Sequence, residues 1–204
     1  MDRQSPLDAF DRRNLLTYAS LFCGVTAVAA ARAASAPLAG LAMAMAVIFD
    51  TYDGRFARIF TSDPGRKQLG AELDSLSDAA TFGAVPVLCA MLLSDARDDL
   101  EWLIWLAGFA YAACAITRLA FFNVHTIDAG PAGFVGVPVP VAALIWASVL
   151  LAHPPAVAVV LVLCGAAVLM VAPLRIARPT GLGLIVFTCW PVVIAIGHLL
   201  RWSA

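Results

Sequence analysis

Charge is what this sequence has least of. Lys, Arg, Asp and Glu make up 13% of its 204 residues, whereas 62% of the chain is apolar and mean hydropathy is +0.88. That balance excludes a disordered chain and most water-soluble folds, because a soluble core of this size could not hide so many long apolar runs. Net charge is −1, so no basic field points to nucleic acid as a partner. Metal-binding clusters of cysteine and histidine are missing too. Cys23, Cys89, Cys114, Cys164 and Cys189 lie singly in separate apolar stretches, and His125, His153 and His198 are equally scattered. Neither a disulfide scaffold nor a zinc site follows from such spacing, and the cysteines read as apolar filler.

What is present is a series of apolar runs near 14–34, 36–60, 70–94, 100–123, 138–152, 155–173 and 181–200. These describe an all-α integral membrane protein, each span needing about 20 residues. The fifth run is short and opens with Pro138 and Pro140, so six long helices are expected, with a seventh span or a short re-entrant helix at 138–152. A hairpin with the sixth run across His153-Pro154-Pro155 is the alternative there. Residues 1–13 read as a tether or a short interfacial helix, and 14–204 as one polytopic domain. The first run, followed by Ala31-Arg-Ala-Ala-Ser-Ala36, superficially resembles a cleavable signal peptide, but Asp2, Asp8 and Asp11 dilute its basic end and favour a retained span. With the N-terminus inside, Arg3, Arg12, Arg13, Arg55, Arg58, Arg66, Lys67, Arg118, Arg175 and Arg178 all fall on the inner side, ten of thirteen basic residues. That bias predicts the orientation.

Against the apolar background stand four carboxylates, Asp50 and Asp53 in the second run and Asp74 and Asp78 in the third. Ionisable groups in or near hydrocarbon are costly and by default mark a site. At about 100° per residue, Asp50 and Asp53 share a helix face to which Ala57 returns, while Gly70, Asp74 and Asp78 step by four along the next helix. Two carboxylate pairs can thus face each other across a helix hairpin. Their repulsion at low dielectric calls for cations, and all-oxygen ligands suit a hard ion, Mg²⁺ or Mn²⁺, two of which would neutralise the four acids. Gly54 and Ala57 leave room for something flat beside the acids, and Arg58 can bind a phosphate. Taken singly, each small residue also reads as an ordinary packing residue. Asp63-Pro64-Gly65 reads as a turn and Glu72 as a solvated side chain.

The pattern Asp50-x2-Asp53-Gly54-x2-Ala57-Arg58…Gly70-x3-Asp74-x3-Asp78 resembles the motif of the CDP-alcohol phosphotransferase family at all eight of its defined positions. Eleven residues separate Arg58 from Gly70, more than that family usually has, and the excess is expected to lengthen the loop around Asp63-Pro64-Gly65. The similarity covers most of the chain and is greatest to the phosphatidylserine synthase branch. Asn14-Leu-Leu-Thr17 with Leu21-Phe-Cys-Gly24 resembles that branch's first span, and Glu72–Gly83 its third. Arg118-Leu-Ala-Phe-Phe-Asn123 and Gly136-Val-Pro-Val-Pro140 are similar to two later segments, with Phe121 in place of an arginine and Val139 in place of a serine.

The resemblance implies a six-helix bundle in which Asp50, Asp53, Asp74 and Asp78 hold two metal ions, Mg²⁺ or Mn²⁺, with Asp78 doubling as general base. It implies that Asn14, Thr17, Gly54, Ala57, Arg58 and Ser62 contact the CDP moiety. It further implies a homodimer in the cell membrane with the site facing the cytoplasm. The reaction so implied moves a phosphatidyl group from CDP-diacylglycerol to the hydroxyl of L-serine, giving phosphatidylserine and CMP. Inositol phosphate or glycerol phosphate is the alternative acceptor. Arg118 and Asn123, the polar residues near the inner ends of the fourth and fifth runs, are candidates for an acceptor or lipid-phosphate pocket, with snorkelling to the surface as the structural alternative for Arg118. A cation transporter would account for four acids, but not for Gly54, Ala57 and Arg58 beside them, nor for acids gathered at one edge instead of the midplane.

Overall fold

A backbone in hydrocarbon must satisfy its own hydrogen bonds, and the apolar runs of this chain do so as helices. The computed structural model describes residues 7, 10–60, 64–94, 98–126, 134–176 and 181–203. Its helices are α1 (Leu15–Arg32), α2 (Ala36–Ala57), α3 (Pro64–Asp78), α4 (Val85–Leu93), α5 (Asp98–Thr126), α6 (Val139–Leu150), α7 (Ala156–Val171) and α8 (Leu182–Ser203). A π-helical turn, Ala79–Ala84, joins α3 to α4 in one continuous rod. Four stretches, Arg12–Arg32, Gly65–Leu93, Leu100–Val124 and Leu182–Ser203, are long and apolar enough to cross a membrane, and the protein is an integral membrane protein. Of the segment 1–13, what is described ends in a single 3₁₀ turn at Arg12–Asn14, with Phe10 stacked on Tyr18.

Small residues set the spacing. α1 and α2 pack along each other and both bury many alanines, Ala27, Ala30 and Ala31 on one and Ala39, Ala42, Ala44 and Ala46 on the other, small residues that let α2 come close to its neighbours. α2 also packs against α6 and α8, so it runs through the middle of the bundle, while α7 lies along α5. All five cysteines are free thiols, with Cys89 buried in the core.

Two expectations need correction. α3 begins at Pro64, so the residues just before Gly70 extend the helix and do not lengthen a loop. Proline is well suited to the first helical position, and Arg66, Lys67, Gln68 and Leu69 are good helix formers. Secondly, α7 falls short of a span, as the short run of α6 also does. The 12 residues of α6 and 16 of α7 rise only about 18 and 24 Å, against a hydrocarbon core of about 30 Å. α6 is short but deeply buried, with Ala142, Ala143, Leu144 and Ala147 sealed from solvent.

The two short helices pack as a hairpin, the alternative reading of the sequence, turning at Leu151–Pro155. The hairpin is also tied at its other end. β1 (Phe134–Val135) pairs antiparallel with β2 (Arg175–Ile176), and Gly136 N–H donates to the Leu174 carbonyl at 2.8 Å. Gly136 has φ of 74°, and a Cβ there would collide with the Met170 carbonyl, so no other residue fits the bend.

Candidate metal centre and adjoining cavity

The first turns of α1 hold the two acidic helices in place. The Thr17 hydroxyl donates to the Asp53 carboxylate of α2 at 3.2 Å, and the Thr17 carbonyl accepts from the Ser77 hydroxyl of α3 at 3.4 Å. One helical turn further on, Ser20 donates to the Ala46 carbonyl at 3.1 Å. Gly70 lets α3 come close on the other side, since a Cβ there would stand 3.2 Å from Asn14 Oδ1. Arg13 Nε adds a contact to the Ala57 carbonyl at 3.4 Å, near the C-terminus of α2. Acidic side chains of α2 and α3 are left to meet across the gap.

Asp50, Asp74 and Asp78 each present a carboxylate oxygen within 4.8 Å of the other two. Asp53 stands just outside this trio, facing Asp74, while Asp50 faces Asp78. Asp74 Oδ1 is buried and has no hydrogen-bond partner among the described residues. An orphaned carboxylate oxygen in a low-dielectric site costs free energy unless a cation or proton meets it. Three hard oxygen donors at this spacing fit a divalent cation, and Asp53 is placed to join through Asp74.

Beside the trio opens a cavity of 770 Å³ lined by Arg13, Asn14, Thr17, Asp53, Gly54, Ala57, Arg58, Phe60, Lys67, Gly70, Ala71 and Asp74. Asn14, Thr17, Gly54, Ala57 and Arg58 thus line one cavity, and Gly54 has nothing within 4 Å of where a side chain would start. Ser62 lies outside the described residues. Arg13 and Lys67 join the cavity lining although the motif contains neither. Arg13 directly precedes Asn14, and Lys67 precedes Gly70 by about one helical turn on α3. With Arg58 they bring three cations into a cavity that Asp53 and Asp74 also line, a mixture of charges that suits a metal-bound diphosphate.

On the far side of the trio, Arg118 of α5 is 7% exposed, interacts electrostatically with Asp78 and lies over the Phe122 ring at 5.9 Å. It is buried, not snorkelled. Asn123 is engaged differently from the expectation of a pocket residue. Its carboxamide and the Ser75 hydroxyl exchange two hydrogen bonds, at 2.9 and 3.1 Å, next to Asp74 on α3. Glu72 is exposed, as expected.

Comparison with known proteins agrees with this geometry. The sequence profile of the CDP-alcohol phosphatidyltransferases matches residues 13–174. The chain is 34% identical over 134 residues to a CDP-diacylglycerol–serine O-phosphatidyltransferase of Mycobacterium tuberculosis, covering 63% of this chain and 45% of that one. It is 34% identical over 145 residues to the archaetidylserine synthase of Methanothermobacter thermautotrophicus, covering 69% and 58%. With the CDP-diacylglycerol–serine O-phosphatidyltransferase of Bacillus subtilis it shares 27% identity over 161 residues, covering 79% and 86%. The match thus spans about half the length of the first two relatives and most of the third.

Proposed function

The chain belongs to the CDP-alcohol phosphatidyltransferase family, and we propose that it transfers the phosphatidyl group of CDP-diacylglycerol to the hydroxyl of L-serine, releasing CMP. The observation that carries this reading is the junction at Asp74, which belongs both to a three-carboxylate cluster and to a cation-walled cavity of nucleotide size. Serine as acceptor is supported by the names of the relatives, all of which use or make a serine-containing headgroup. It is also supported by Arg118, because one guanidinium satisfies a single carboxylate, whereas a phosphate-bearing acceptor would want more than one cation.

In this reading Asp50, Asp53, Asp74 and Asp78 hold two divalent ions, Mg²⁺ or Mn²⁺. When bound, such ions neutralise charge on the diphosphate and on the departing CMP. Arg13, Arg58 and Lys67 hold the donor's phosphates, and Gly54 and Ala57 leave the flat cytidine room against α2. Asp78 accepts the proton of the acceptor hydroxyl, whose oxygen forms the new bond to the lipid-linked phosphorus as the bond to CMP breaks. Arg118 orients the acceptor beside Asp78. Two copies form a homodimer, and the basic bias around the site supports a cytoplasm-facing site in the cell membrane.

The test is a competition with the purified full-length chain, CDP-diacylglycerol and Mg²⁺ or Mn²⁺, offering serine, inositol phosphate and glycerol phosphate together. Metal-dependent CMP release with phosphatidylserine as the product is expected. A different lipid product overturns the acceptor, and full turnover in excess chelator overturns the metal assignment.

A further inference from the structure

Just after Asp78 the chain departs from α-helical spacing. In the π-helical turn Ala79–Ala84, the Val85 N–H bonds back five residues to the Ala80 carbonyl. Pro86 follows and has no N–H, so it cannot give the α-helical bond to the carbonyl four residues before it, that of Phe82. Tyr111 of α5 supplies a donor to that carbonyl. Its hydroxyl donates to the Phe82 carbonyl at 3.0 Å, and both residues are sealed from solvent. Two glycines seat the same turn between its neighbours. A Cβ at Gly24 of α1 would come 3.0 Å from Thr81 Cγ2, and one at Gly83 would lie 3.6 Å from the Ala115 Cβ of α5.

A π turn carries one residue more than an α turn, which rotates the helix before it by about 100° relative to the helix after it. α4 is not free to absorb that rotation, because Val85, Pro86, Val87, Cys89 and Ala90 are buried in the core. The rotation therefore falls on α3, where it sets the direction in which Asp74 and Asp78 point. We propose that Tyr111 is a positioning residue: by holding the Phe82 carbonyl it maintains the π turn, and through that turn it keeps Asp74 and Asp78 aimed at Asp50. Tyr111 and Arg118 lie two helical turns apart on one face of α5, so the face that clamps the turn also presents the guanidinium to Asp78. Only the kinetic readout of this inference rests on the transferase reading above.

The experiment uses the full chain in lipid nanodiscs, with Mn²⁺ binding followed by electron paramagnetic resonance and CMP release measured in parallel. Tyr111→Phe keeps the ring and removes the donor. It should weaken Mn²⁺ binding by about tenfold, the scale on which outer partners of metal ligands act, and lower turnover without raising the donor KM. Pro86→Ala restores an N–H four residues after Phe82, so in that background the same substitution should change Mn²⁺ affinity by less than about twofold. Gly24→Ala crowds Thr81 without removing a hydrogen bond and should weaken Mn²⁺ binding in the same direction. Unchanged Mn²⁺ affinity in Tyr111→Phe, or an equal loss with and without Pro86, overturns the proposal. If Tyr111→Phe does not fold, unchanged affinity in Gly24→Ala overturns it instead. A wild-type protein that binds Mn²⁺ but releases no CMP overturns the transferase reading, and the Mn²⁺ comparison then decides the role of Tyr111 on its own.

Discussion

The two ends of α2 use glycine for opposite purposes. At Gly40 a side chain would fall inside the imidazole of His198, whose ring nitrogen meets the Ala147 carbonyl at 2.9 Å. At Gly54 nothing lies within 4 Å, and the residue borders the cavity beside the carboxylates. The first glycine lets α2 and α8 touch. The second keeps a surface clear. Around Gly40, buried Ala39, Ala42, Met43, Ala44, Ala46 and Val47 fill the interior, so this half of the helix contributes to stability. The half that carries Asp50 and Asp53 is only partly covered and contains charges that oppose burial, as expected where binding rather than packing is served.

The largest effect expected at the open end is that of Asp78→Asn. Transfer should fall by about 10²-fold or more, the range of a lost general base, while binding of the CDP-activated donor stays measurable. Near-wild-type turnover would remove Asp78 from that role. At the packed end, Gly40→Ala should destabilise by about 1–3 kcal/mol through overpacking against His198. Thermal unfolding in detergent measures this, and the fraction that remains folded should keep a normal donor KM. An unaltered melting curve would mean that α8 yields at no cost and that the contrast between the glycines is false. Gly54→Leu should do the reverse. Donor KM should rise on the order of tenfold with stability within about 0.5 kcal/mol of wild type, because the added side chain projects into space where a ligand has to lie. The smallest effect belongs to Thr17→Val, which removes a hydrogen bond to Asp53 and should cost about 1 kcal/mol, read as a several-fold loss in kcat/KM. A loss as large as that of Asp78→Asn would mean that Thr17 touches the substrate directly.

Much of the candidate centre was legible because helical periodicity is a local property. The spacing of Asp50 and Asp53, and of Gly70, Asp74 and Asp78, places each set on one helix face whatever the rest of the chain does. Arg13 and Lys67 were not legible as cavity residues, since a basic residue near a membrane edge is ordinarily a topology signal and only the approach of α1 to α3 turns these two inward. Asn123 was assigned to a pocket on its polarity and proximity. Its bonds to Ser75 depend on the register of α5 against α3, which neither segment encodes alone. The short α6 was foreseen from its prolines, but α7 was not. An apolar run looks the same whether lipid or protein covers it, so composition alone could not reveal where this helix stops short of a span.

By itself the sequence determined that the chain lives in a membrane, that four carboxylates occupy two adjacent helices, and which family motif they form. Each of these depends on the cost of burying a side chain and on spacing along a single helix. Only the tertiary structure decided that Asp50, Asp74 and Asp78 gather as a trio with Asp53 held aside by Thr17, and that Gly40 is filled while Gly54 is open. It also decided that Tyr111 meets the Phe82 carbonyl in the π turn that follows Asp78. Those outcomes depend on distances between helices, which are set by how all the buried faces pack at once and not by any one segment.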